Sequence, residues 1–248
     1  MRLEEAEGRS LLERGYAVVP GGAAPERIDA ALKAINVSLG RGLHASELEQ
    51  FRSQSFCPEL RTTAAITGLF HGTAARPLAE ALLGALEPVT IGQIALVFPS
   101  DEPGGRLHPH LDGLHTPTNG VPEGTVRTFT LLVGVLLSDQ TAPGMGNLVV
   151  WPGSHRLYEE HFRRHGGESL LEGLPDVPLP PPEPVLGRAG DLVLCHYQLA
   201  HTGGANTSPR VRYSVYFRVK AAGHDARRWE CLMQLWREWP GLAPVSEA

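Results

Sequence analysis

The sequence predicts a mainly β domain flanked by helices, and three observations lead there. From Val89 to Lys220 the apolar stretches are short and rich in β-branched residues, with Gly and Pro clusters between them. Short strands punctuated this regularly are the pattern of a sandwich or barrel. Residues 1–88 have a mostly helical texture, and residues 225–239 repeat apolar side chains at helical spacing. At 248 residues and 42% hydrophobic, the chain can bury one sizeable core, and all-β domains of this length often stay undivided. The expected organisation is one domain over 1–248: a helical preface at 1–88, a β core at 89–220 and a closing helix at 225–239.

Each element has a local reason. Residues 2–14 read as a short helix, and Tyr16–Val19 as a buried strand ended by Pro20-Gly21-Gly22. Pro25 opens a helix to about Asn36, since a proline in the first turn gives up an N–H that has no helical partner. Residues 44–84 read as mostly helical, interrupted at Pro58, Gly68 and Pro77. Strands are expected within 89–98, 126–137, 147–151, 191–196 and 211–219. Ser154 is placed to cap a helix running to about His165. The proline-dense stretch 174–184 should be an extended loop without regular ladders. Trp229, Leu232, Met233, Trp236 and Trp239 form a stripe that reads as the inner face of a helix packed on the domain.

Charge and cysteine usage narrow the function classes. Twenty-two basic against 27 acidic side chains give a net charge of −5, which argues against a nucleic-acid binder. No apolar run reaches membrane-span length, roughly 18 residues, and the acidic N-terminus MRLEEAEGRS lacks a signal-peptide core. Cys57, Cys195 and Cys231 share no metal-type spacing, and their odd number fits a reducing, cytoplasmic setting. Against these three stand 11 histidines, so a bound metal is expected among nitrogen and oxygen ligands.

The densest group of such ligands is the segment 107–115, LHPHLDGLH. On an extended chain His108, His110 and Asp112 share a face. One imidazole and one carboxylate from a His-x-Asp pair, joined by a distant histidine, would make the two-His-one-carboxylate triad of non-haem Fe(II) oxygenases. His-x-Asp alone recurs by chance. Here it is accompanied by HTGGANTSPRVRYS at 201–214, in which His201 follows a buried strand and a Gly-Asn-Pro turn leads into another. On the returning strand Arg212 and Ser214 lie on one face. A guanidinium fork with a neighbouring hydroxyl suits the far carboxylate of a dicarboxylate such as 2-oxoglutarate.

Four motifs, HPHLDG at 108–113, GNLVVWPGSH at 146–155, GDLVLCH at 190–196 and HTGGANTSPRVRYS at 201–214, together resemble the phytanoyl-CoA dioxygenase family of Fe(II)/2-oxoglutarate-dependent oxygenases. GYAVVPG at 15–21 is similar to that family's opening, so the resemblance covers roughly 11–220. It implies a double-stranded β-helix (a cupin-like jelly roll), with His110, Asp112 and His201 as Fe(II) ligands. It also implies Arg212 as partner of the distal 2-oxoglutarate carboxylate, with Ser214 beside it and Gln93 facing the cosubstrate or the substrate. The expected reaction consumes O₂, hydroxylates a small organic molecule and releases succinate and CO₂. Related halogenases replace the carboxylate ligand by a small residue; Asp112 is present, which favours hydroxylation. In this sequence Pro109 and a further His108 precede the first ligand, and the His-x-Asp register selects His110.

Most remaining histidines are expected to be hydrogen-bonded or solvated: His44, His71, His161, His165 and His224, with His155 bracing a loop and His196 in the core. His108 and His115 are candidate substrate contacts; Arg127 and Arg106 could meet an anionic substrate, with a solvated surface charge as the default for both. The pocket walls are expected from 44–84, 114–125 and 174–184. Two other readings remain. The HxHxD string at 108–112 resembles the start of the metallo-β-lactamase-type zinc motif, although Gly113 stands where that motif needs a histidine. The other is a family member that binds a small molecule without oxidising it. A monomer or a homodimer fits the sequence equally.

Overall fold

The computed structural model describes residues 1–101 and 106–245. Helix α1 (Glu5–Arg14) starts with a reciprocal capping box between Glu4 and Glu7 and ends at Gly15 in the left-handed conformation. The chain then enters β1 (Tyr16–Val19). Helix α2 (Pro25–Leu39) has proline in its first turn, as expected, and runs a few residues beyond Asn36. The region 44–84 resolves into α3 (Leu48–Ser53), α4 (Ala64–His71) and α5 (Ala75–Leu83), with short 3₁₀ turns before α3 and at Pro58–Leu60. Two expected interruptions are corrected. Gly68 lies inside α4, and Pro77 sits in the first turn of α5, where its missing N–H breaks no helical bond.

The strands are β2 (Gln93–Val97), β3 (Leu131–Leu136), β4 (Leu148–Val150), β5 (Glu183–Pro184), β6 (Leu192–His196), β7 (His201–Gly203) and β8 (Arg212–Val219). Helix α6 (Ser154–His165) follows β4, with Gly153 rather than Ser154 at its N-cap; Ser154 Oγ instead accepts a hydrogen bond from the Ala200 N–H at 2.9 Å. Two strands were not expected. Pro184 occupies β5, correcting the reading of 174–184 as wholly unpaired, because an edge strand tolerates proline. His201 begins β7, a short strand between the buried β6 and the turn.

All strand pairs are antiparallel, in a five-stranded sheet ordered β1-β6-β3-β8-β2 and a three-stranded sheet ordered β5-β4-β7. Period-two alternation divides the larger sheet into two faces. Val133, Val135, Leu194, Val215 and Phe217 face the N-terminal helices and pack with Ile35, Ile66, Phe70 and Leu78. Leu132, Val193, Cys195 and Tyr216 face the smaller sheet and pack with Leu148, Val150, Tyr158 and Phe162. Each fully buried side chain of this kind contributes about 1.5–3 kcal/mol. Gly134 interrupts the apolar run of β3 because Tyr216 lies opposite it; a Cβ there would meet the Tyr216 ring at 2.8 Å.

The C-terminal stripe packs inward as expected, but the helix α7 (His224–Met233) ends earlier than 239. Beyond it the backbone of Leu235 is engaged elsewhere: its N–H donates to Glu159 at 3.0 Å and its carbonyl meets His196 Nε2 at 3.0 Å. Trp239 stacks on His196, and buried Glu238 joins His224, Thr130 and Arg227. Tertiary hydrogen bonds thus replace the helical ladder while the apolar spacing still points the tryptophans inward. Among the described residues no helix is long and apolar enough to cross a membrane.

Candidate active site

The two histidines of the triad are brought together by backbone pairing. His110 and His201 form an isolated antiparallel bridge, each N–H donating to the other's carbonyl at 3.1 and 3.2 Å. Directly opposed residues on paired strands put their side chains on one face, and the imidazole centroids lie 4.6 Å apart. Asp112 follows two residues after His110, so its side chain returns to the same side. Its Oδ1 lies 3.7 Å from Nε2 of both His110 and His201. Gly113 then turns away with φ of 83°, so close to the Arg127 carbonyl that a Cβ would lie 2.0 Å from that oxygen.

Each member of this set is oriented from outside. His201 Nδ1 contacts the Leu199 carbonyl at 2.9 Å; a proton on Nδ1 makes that bond and leaves the Nε2 lone pair facing Asp112. Asp112 Oδ2 accepts from Arg218 Nε at 3.0 Å and forms an ion pair with its Nη2 at 2.9 Å, while Tyr197 Oη donates to the Asp112 backbone carbonyl at 3.1 Å. Burial alone would raise the Asp112 pKa, but Arg218 and then His201 hold it well below the usual carboxylate range. Burial lowers His201 in isolation; the neighbouring Asp112 outweighs that and raises it. Withdrawal from bulk water, followed by the adjacent His201, pushes His110 down to about 4 even though part of its ring opens on the cavity. Two imidazoles and one ionised carboxylate therefore face a common point.

That point opens into a cavity of about 880 Å³. Arg212, at the start of β8, reaches it from the larger sheet. The residue is 5% exposed, its Nε donates to the Gly146 carbonyl at 2.7 Å and its Nη1 to the Ala95 carbonyl at 3.1 Å. Three of its five N–H donors are left over, and no carboxylate pairs with it among the described residues. Gly146 is needed there. With φ of 71° it tolerates the turn, and a Cβ would press on Arg212 and Val97 at 3.0 Å.

The other predicted residues divide. Gln93 lines the cavity and accepts from Arg218 Nη2 at 2.8 Å. Ser214 shares the Arg212 face but is fully buried, accepts from Gln140 at 3.2 Å and does not line the cavity. His115 lines it, with Nδ1 2.6 Å from the Val121 carbonyl. His108 and Arg127 are exposed and outside the lining, so the structure does not bring them to the cavity. Each expected wall contributes to the lining: Arg52 and Phe56 from 44–84, His115 and Asn119 from 114–125, and Leu174 from the proline-rich stretch.

Among the lining residues not named from the sequence are Tyr216 and Arg218. Both continue the alternation Arg212, Ser214, Tyr216, Arg218 on the inner face of β8, and that period of two was the available signal. The recognisable motif ended at Ser214.

The family model described as phytanoyl-CoA dioxygenase matches residues 11–214, which include β1, the triad and Arg212. The chain belongs to the phytanoyl-CoA dioxygenase family. Solved structures share its fold. The non-heme alpha ketoglutarate dependent carbocyclase SnoK from nogalamycin biosynthesis is 23% identical over 91% of this chain and 90% of that one, with a TM-score of 0.58. The epimerase SnoN from the same biosynthesis is 21% identical over 88% of this chain and 80% of that one, with a TM-score of 0.60. HygX from Streptomyces hygroscopicus, with nickel and 2-oxoglutarate bound, is 16% identical over 90% of this chain and 89% of that one, also at 0.60. No curated protein matches the chain.

Proposed function

We propose that this phytanoyl-CoA dioxygenase family member is an Fe(II)- and 2-oxoglutarate-dependent oxygenase that hydroxylates a small organic molecule. The observation that carries the reading is one juxtaposition. Two histidines and a carboxylate converge on the same cavity as a buried arginine that has no acidic partner among the described residues. The donor set fits a divalent iron, being nitrogen and oxygen only, with ligand atoms within 4.8 Å of one another and one side open. HygX holds a metal and 2-oxoglutarate together, and SnoK and SnoN are described as alpha ketoglutarate dependent; this supports the same pair of cofactors here.

In this reading His110 and His201 present Nε2, and Asp112 presents Oδ1, because Arg218 occupies Oδ2. Bound iron with 2-oxoglutarate would supply O₂ activation, coupled to release of CO₂ and succinate. Arg212 fixes the distal carboxylate of the cosubstrate through its free fork and so sets the cosubstrate's direction in the cavity. Phe56, Phe98, Leu96 and Leu148 in the lining exclude water around the reacting atoms. A volume of about 880 Å³ accommodates a cosubstrate together with a small molecule. The two antiparallel sheets around this site are proposed to be the halves of a double-stranded β-helix. Because both hydrophobic clusters share the larger sheet, residues 1–248 are proposed to act as one domain.

The test is substrate-stimulated succinate formation by iron-loaded protein, with the oxidised product identified by mass. Asp112→Ala and His110→Ala are expected to abolish it. Full hydroxylation by Asp112→Ala would refute the triad, and zinc-dependent hydrolysis without 2-oxoglutarate would favour the hydrolase reading.

A further inference from the structure

Charge is distributed unevenly between the cavity and the chain. The protein carries a net −5, yet the described cavity lining holds three arginines, Arg52, Arg212 and Arg218, against one acid, Asp112, and no lysine. The proposed iron and 2-oxoglutarate would add opposite charges of similar size, so the positive surplus would persist after loading. Arg212 is accounted for by the cosubstrate. The surplus therefore lies with Arg52, which is exposed, and with Arg218, which pairs with Asp112 inside the site.

Arg218 spends Nε and Nη2 on Asp112 and Gln93, while its Nη1 has no partner among the described residues. Beside it runs the segment 55–61, which borders β2: the Phe56 N–H donates to the Ile94 carbonyl at 2.9 Å, and the Gly92 N–H to the Arg61 carbonyl at 3.0 Å. Arg61 is thereby placed one residue from Gln93, beside the β2 edge and outside the cavity lining, within reach of the charge of Arg218. Its guanidinium makes no hydrogen bond or ion pair among the described residues, and its Nε is buried without a partner. Burial, then the charge of Arg218, hold Arg61 below its ordinary pKa. A half-buried guanidinium left unpaired beside a second cation is unfavourable unless something anionic completes it. Among the described residues the one acid paired with Arg218 is Asp112, and the triad commits that same carboxylate to a cation.

We propose that the substrate carries an oxyanion, a carboxylate or a phosphate, and that Arg61 and Arg218 receive it at the β2 edge of the cavity. This deepens the oxygenase reading and rests on it for the roles of Asp112 and Arg212. Two guanidiniums arranged around one anion supply charge-assisted, partly bidentate hydrogen bonds. Gln93 keeps Arg218 extended toward that edge, so it acts as a positioning residue. The anion would sit beside the metal ligands, which fixes the rest of the substrate relative to them.

The test uses zinc-loaded protein, redox-inert and saturated with 2-oxoglutarate, titrated calorimetrically at low ionic strength with phenyl phosphate, benzoate and the neutral isostere benzamide. At least one anion is expected to bind roughly tenfold or more tightly than benzamide, as a charge-assisted bond of this kind allows, and the tighter of the two identifies the group. Arg61→Gln should remove that preference, and Arg61→Lys should retain part of it. Benzamide binding as tightly as both anions, or a preference undiminished in Arg61→Gln, overturns the proposal. Failure of the wild-type protein to take up 2-oxoglutarate refutes instead the reading of the triad and Arg212. The anion-against-amide comparison is then read on protein without cosubstrate, by the same criteria.

Discussion

Replacing Arg212 by methionine separates the cost of a buried cation from its use. In the protein without cosubstrate, Arg212 is buried, hydrogen-bonded to the Gly146 and Ala95 carbonyls, and unmatched by any acid among the described residues. Losing those two bonds costs about 1.5–3 kcal/mol each. Removing an uncompensated buried charge returns several kcal/mol. The two offset, so the Tm of the cosubstrate-free variant should lie near that of the wild type. Binding is different. With 2-oxoglutarate present, the missing guanidinium strands a buried carboxylate, at about 3–5 kcal/mol, or roughly a 10²- to 10⁴-fold weaker Kd. At a hundred times its Kd, 2-oxoglutarate stabilises the zinc-loaded wild type by about 2.7 kcal/mol, a rise of roughly 5–10 °C for a chain of this size. The same concentration should move Arg212→Met by less than about 2 °C. Calorimetric Tm measurements with and without 2-oxoglutarate read both halves. A wild-type-sized cosubstrate shift in Arg212→Met would refute the role of Arg212.

Gly113→Ala should be destabilised by several kcal/mol and should lose metal affinity, because φ of 83° and the Arg127 carbonyl 2.0 Å from the new methyl force the Asp112 turn to move; denaturant midpoints and zinc titration check it. Acid should weaken the fold through two buried neutral histidines. Burial, helped for His155 by His196, depresses His155 to about 3, and burial depresses His196 to about 4, from 6.5. Their contribution is whole above the unfolded value and is lost as pH falls below it, at about 2 kcal/mol each by about pH 5. Urea midpoints between neutral and mildly acidic pH should fall accordingly, and less steeply in His196→Gln; an equal slope would show that His196 is not held neutral. Glu238→Ala should cost about 3–5 kcal/mol by leaving His224, Thr130 and Arg227 without their acceptor. A loss under 1 kcal/mol would show that this network does not anchor the C-terminal segment.

Much of the site was legible in the sequence because its members lie two residues apart on extended chain. His110 with Asp112, and Arg212 with Ser214, follow from the side-chain period of a strand without any knowledge of tertiary contacts. Helix starts were legible where a proline in the first turn dictates them, as at Pro25, and Gly68 and Pro77 were misjudged because neither position breaks a helical hydrogen bond. The stripe from Trp229 to Trp239 predicted burial correctly and helix length wrongly. Apolar spacing reports which face is covered, whereas the end of a helix depends on whether Glu159 and His196 compete for the backbone at Leu235.

By itself, then, the sequence determined the chemical types available, the faces they occupy and the order of helices and strands, because local sterics and periodicity act within a few residues. Only the tertiary structure decided which of them meet. It paired His110 with His201 across a backbone bridge spanning most of the β core. It turned His108 and Arg127 outward and put Ser214 behind the cavity wall. It also brought Arg218 onto Asp112, and Arg61 to the same edge, across intervals in the chain that no local rule relates. Such contacts are set by strand order and register, and those are fixed by how the whole core packs.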